Sequence, residues 1–206
     1  MIESIENAFQ ITILLVCAAV ALRRAISLQS KAWTLLFFFY GTWLLGDIYW
    51  LVCLVFYGET PQISIISDLN WYASYTFLYF LLLQVSPPSE KHISGILPWL
   101  CPVFSIIMAV FYMQWGKIID NLILAALMGL LLFSVTHRLA CRKHYIQSRF
   151  LSWVILFFCL MDYGLWTSSC FVDAYNDKFN LYYLFDILLS LGFVFFLPSV
   201  KKAAKV

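Results

Sequence analysis

Long apolar runs alternate along the chain with short polar breaks. Seven runs approach or reach the roughly 20 apolar residues that a helix needs to cross the hydrocarbon of a bilayer. They cover residues 8–25, 32–57, 67–86, 95–115, 118–137, 150–172 and 181–199. The first is the shortest, Ala8 to Leu22, closed by Arg23 and Arg24, whose side chains can snorkel to the membrane surface. The pattern predicts an all-α fold: one polytopic domain, residues 1–206, of seven transmembrane helices. No linker or low-complexity tract divides it.

Composition agrees with the pattern. Of 206 residues, 63% are hydrophobic and 12% charged, and the mean hydropathy is +0.86. A soluble domain carries about 25% charged residues, so a disordered chain, a coiled coil and an ordinary soluble enzyme are excluded. The beginning, Met1-Ile-Glu-Ser-Ile-Glu, is acidic. A secretory leader is basic there, so the first run is expected to be kept as a helix. Of the six cysteines, five lie in apolar runs and none forms a Cys-x-x-Cys pair, which reads as small buried hydrophobes.

Charge sets the expected orientation. Arg23, Arg24, Lys31, Lys91, Arg138, Arg142, Lys143, Arg149, Lys201, Lys202 and Lys205 fall in alternate loops and the tail, and are 11 of the 13 basic residues. The opposite loops hold Lys117 and Lys178, with Glu3, Glu6, Glu59, Asp68, Asp173 and Asp177. The excess of Lys and Arg in cytoplasmic loops predicts an outside N-terminus and an inside C-terminus, in a bacterial cytoplasmic membrane. The lipid bilayer is thus the first partner. The basic tail is suited to anionic headgroups.

Three carboxylates interrupt the apolar runs: Asp47, Asp162 and Asp186. A charge at mid-bilayer costs at least about 2.5–3.5 kcal/mol, so such residues face the bundle interior and take partners. No Lys or Arg lies deep in a run to pair with them. An echo accompanies them. Asp47 precedes Trp50, and Asp162 precedes Trp166; each half then turns and returns with aromatics, Asn70-Trp71-Tyr72 and Tyr182-Tyr183. This points to a 3+1+3 parallel repeat of the kind found in transporters, with the fourth helix as connector. The expected result is an outward-facing pocket, anchored by Asp47, Asp162 and Asp186. Its walls would come from Tyr49, Trp50, Asn70, Trp71, Tyr75, Tyr163, Trp166 and Tyr183. Aromatic faces beside carboxylates suit a small cationic or amphipathic ligand; packing carboxyls and an interfacial aromatic belt are the plainer alternatives. His137, Cys141 and His144 share a helical spacing, but Arg138, Arg142 and Lys143 around them repel cations. No metal, cofactor or nucleic acid is expected.

Gly46-Asp47-Ile48-Tyr49-Trp50, Gly58-Glu59-Thr60-Pro61, Ser67-Asp68-Leu69-Asn70-Trp71 and Tyr75 together resemble the multi-helix membrane sensor regions that precede bacterial diguanylate cyclase domains. The second half of the chain matches only loosely. Val206 follows the last helix with no cyclase, so the resemblance implies a free-standing sensor acting through a partner protein. A second likeness is to the seven-helix terpene cyclases of meroterpenoid pathways. There Asp47 and Asp186 occupy comparable places, although that family's Trp-Glu pair is Gly46-Asp47 here. It implies an enzyme of lyase or isomerase type with Asp47 or Asp186 as catalytic general acid. A third is to small-solute transporters with triple-helix repeats, whose signature residues are absent.

Overall fold

The computed structural model describes residues 2–58, 61, 63–86, 95–115, 117–141, 148–171 and 180–204. Glu59, Lys91, Arg142, Lys143, His144, Asp173, Asp177, Lys178 and Lys205 lie outside the described residues. Among the described residues, seven helices make up the regular structure: α1 (Ile2–Leu28), α2 (Lys31–Tyr57), α3 (Ile65–Gln84), α4 (Leu97–Tyr112), α5 (Ile118–Ala140), α6 (Arg149–Ser169) and α7 (Leu181–Ala203). Among the described residues there is no strand. Five helices, α1, α2, α5, α6 and α7, are long and apolar enough to cross a membrane, and the chain is an integral membrane protein. The first two turns of α3 carry Ser67, Asp68 and Asn70, and α4 has only 16 residues.

Helix ends depart from the apolar runs for electrostatic reasons. The first helix starts at Ile2 rather than near residue 8, and Glu3 in its first turn complements the positive end of the helix dipole. At the other pole, α5 extends past residue 137 with His137 and Arg138 in its last turn, and α7 extends past 199 with Lys201 and Lys202. Cations are favoured there. Arg138, expected in a loop, is therefore helical. It is also buried, and its guanidinium donates to the Ser86 hydroxyl. The fourth helix is shorter than the run 95–115, and its Pro98 sits in the first turn, where a missing N–H costs nothing.

Each inward face follows the helical period. On α2 it is Trp33, Leu36, Phe39, Tyr40, Trp43, Gly46 and Asp47. On α6 it is Leu151, Ser152, Ile155, Phe158, Cys159, Asp162 and Tyr163. Residues three and four apart stack on one side of a helix, so these stripes face a common axis. The helices close a ring in the order α1, α2, α3, α5, α6, α7 and back to α1, while α4 packs on α5 outside it. Small residues on α1, Ala18, Ala21 and Ala25, let that helix approach closely.

The middle of the ring is filled by aromatic rings. Phe39, Trp43, Phe158, Phe193 and Phe196 make edge and tilted contacts with centroids 5.0–6.4 Å apart. Pairs of this kind contribute about 0.5–1.5 kcal/mol beyond their buried area. Two hydroxyl bonds lock the register. Tyr40 donates to the Phe193 carbonyl at 2.7 Å, joining α2 to α7. Thr42 and Ser74 share a bond of 2.7 Å between α2 and α3.

Candidate functional site

Above this aromatic floor the ring opens into a cavity of about 630 Å³, within the range of small-molecule pockets, about 300–1,000 Å³. It lies at the end of the bundle holding the starts of α1, α3, α5 and α7. All six ring helices contribute lining residues; among the described residues, α4 contributes none.

Asp47 stands ten residues before the end of α2, so about 15 Å down the helix at 1.5 Å per residue. It is only 2% exposed. Its Oδ1 accepts from the Trp71 indole N–H at 3.1 Å, while Oδ2 is buried with no donor. Gly46 permits this arrangement. A Cβ there would lie 2.8 Å from Trp71 Nε1, so a glycine lets the edge of the indole come this close to α2. Trp71 in turn lies between Trp43 and Trp50 in tilted ring contacts, at centroid distances of 6.4 and 5.9 Å. The Trp50 N–H reaches Glu3 Oε1 of α1 at 3.2 Å.

The other two carboxylates are held differently. Asp162 accepts from the Tyr75 hydroxyl at 2.7 Å across the ring. Asp186 accepts from Gln10 Nε2 at 3.1 Å and lies within hydrogen-bonding reach of the Glu6 carboxyl. Asn7 adds a contact of 3.5 Å to Glu6 Oε2. Glu6, expected outside the membrane with Glu3, is therefore a buried member of this cluster.

Of the residues expected at a pocket, Asp47, Trp50, Trp71, Tyr75, Asp162, Trp166 and Asp186 line one cavity. Tyr49, Asn70, Tyr163 and Tyr183 are not among its lining. The Tyr49 hydroxyl bonds the Ile63 carbonyl, and the Asn70 amide bonds back to Ile66 within α3. Tyr163 points to α4, where its hydroxyl donates to Ser105 at 2.9 Å. Tyr183 is buried beside Tyr182, and it is Tyr182 that lines the cavity. Residues not singled out from the sequence also line it: Asn7, Gln10, Trp43, Asn121, Leu124 and Leu165.

The mouth carries Ser64, Asp68, Trp115, Lys117 and Asp120. Asp68, expected as a loop acid, is a buried residue in the first turn of α3. Lys117 is the one basic residue among the described lining and donates to Ser64 Oγ at 3.3 Å. Elsewhere, His137 Nε2 lies 3.7 Å from Cys141 Sγ. No cluster of three or more metal-ligating side chains occurs among the described residues.

No protein-family model, curated protein or solved structure matches the chain.

Proposed function

We propose that the chain is a membrane ligand-binding protein of sensor type, with a pocket for a small amphipathic or cationic molecule. In this reading all seven helices cross the bilayer, the N-terminus is outside and the C-terminus inside, and the cavity opens outward. The basic residues at the opposite pole, from Arg23 to Lys202, support that orientation. The halves α1–α3 and α5–α7 form the parallel repeat, and the position of α4 outside the ring suits a connector.

One observation carries the functional reading. Asp47, Asp162 and Asp186 converge from three helices on one aromatic-walled cavity whose only described basic lining residue is Lys117. An ionisable residue deep in a bundle is a functional-site candidate by default. The close-packed floor of Phe39, Phe158, Phe193 and Phe196 favours a binding cup over a passage. Output then passes to a partner protein, as the resemblance to sensor regions implies. The reading as a cyclase uses the same cavity, with Asp47 or Asp186 as acid, and differs in requiring turnover.

The test is mass spectrometry of small molecules that co-purify in mild detergent, comparing wild type with the Asp47→Asn/Asp162→Asn variant. The expected result is a species bound to wild type alone. Identical profiles from two equally folded proteins would reduce the carboxylates to packing groups.

A further inference from the structure

The three deep aspartates are not equivalent. Asp162 has a hydroxyl donor from Tyr75. Asp186 has the Gln10 amide and lies beside Glu6. Asp47 alone keeps a buried oxygen, Oδ2, with no donor, although it lines the cavity at 2% exposure. An acceptor left bare in a buried site is destabilising. Such a group calls for a specific explanation, and an ion or ligand is one. The surroundings say which kind. Trp43, Trp50 and Trp71 wall this part of the cavity, and indole is the strongest cation–π partner among the side chains. Two of these indoles are fixed by carboxylates, Trp71 by Asp47 and Trp50 by Glu3. Among the described residues there is no ligand cluster of a metal site. Leu124 and Leu165 add apolar surface to the same cavity.

We infer that the Asp47 corner receives the ammonium head of a protonated alkyl- or arylamine. One N–H donates to Asp47 Oδ2, the charge lies against the tryptophans, and the apolar body fills the rest of the cavity. An anion meets three carboxylates there. A quaternary ammonium brings the charge but no N–H for the bare oxygen. The inference rests on the proposal that the cavity binds a ligand, and goes further by naming the class and the anchoring atom.

Three probes of equal chain length test it: hexylammonium, hexanol and hexanoate. Each is titrated by calorimetry into the purified full-length protein in a neutral detergent. Hexylammonium is expected to bind at least tenfold tighter than the other two. The Asp47→Asn variant, which keeps an acceptor for Trp71, should bind hexylammonium no better than hexanol. Equal affinities for all three in wild type would overturn the inference and leave an apolar ligand cavity standing. An amine preference that survives Asp47→Asn would overturn the assignment to Asp47. Binding of none of the three would overturn both this inference and the ligand-binding proposal beneath it.

Discussion

Gly46→Ala is the smallest change that should disturb the site. The added methyl would lie 2.8 Å from Trp71 Nε1, 3.1 Å from its Cδ1 and 3.4 Å from the Ser67 carbonyl oxygen. These atoms belong to a rigid ring and to backbone, so the indole must lift off α2. Overpacking of this kind costs about 1–3 kcal/mol. The same shift breaks the 3.1 Å bond to Asp47 and strips a buried carboxylate of its donor, again about 1–3 kcal/mol. The two costs overlap, because one displacement relieves the clash and breaks the bond. Against them stands the helix preference for Ala over Gly, about 0.8–1 kcal/mol. The net expectation is a loss of about 1–3 kcal/mol. Gly41→Ala is the internal control: it lies on the same helix, and its new methyl meets nothing within 4 Å. Only the propensity gain should remain there. The assay is equilibrium unfolding in mixed micelles of mild detergent and dodecyl sulfate, followed by circular dichroism. Should the two alanine variants prove equally stable, the close approach of Trp71 to α2 would be wrong.

Tyr75→Phe removes the donor from Asp162 inside a fully buried pair, and should cost about 1–3 kcal/mol. Tyr75→Phe/Asp162→Leu, which removes both partners, should recover part of that loss in the same unfolding assay. A neutral Tyr75→Phe would deny the bond any role in stability. Orientation is tested with single cysteines in a cysteine-free background, at the exposed positions Lys117 and Lys201. A membrane-impermeant maleimide should label Lys117→Cys on intact cells and Lys201→Cys only after permeabilisation. The reverse pattern would invert the topology.

How much of this was readable beforehand depended on contrast. Asp47, Asp162 and Asp186 stand out because a carboxylate in an apolar run has no ordinary explanation. Glu6 and Asn7 were hidden because they precede the apolar run of α1, where polar residues look like a loop, and Gln10 because it sits at the very start of that run. Their signal was geometric. Continued backwards at steps of three and four, the stripe Ala21, Cys17, Leu14 reaches Gln10, Asn7 and Glu6. The tyrosines mislead for the same geometric reason. Successive helical residues point about 100° apart, so Tyr163 turns to α4 while its neighbour Asp162 faces the cavity. Trp43 sits in an apolar run with nothing local to mark it, yet it lies four residues before Asp47 and shares its face. Proximity in sequence to an acid was the wrong criterion, and the register of three and four was the right one. Ring closure through α3·α5 and α7·α1 has no local sequence signal, because it depends on long-range packing.

The aromatic floor has an electrical consequence. A voltage across a membrane falls where the dielectric constant is lowest and water is excluded, here the close-packed rings from Phe39 to Phe196. Moving one elementary charge through the whole drop is equivalent to about 2.3 kcal/mol per 100 mV. A charge resting in the cavity stays on the near side of that drop. On the ligand-binding reading proposed above, it is held by the chemistry of the walls and not pulled by the field, so the cavity should fill to much the same extent in an energised membrane as in a depolarised one.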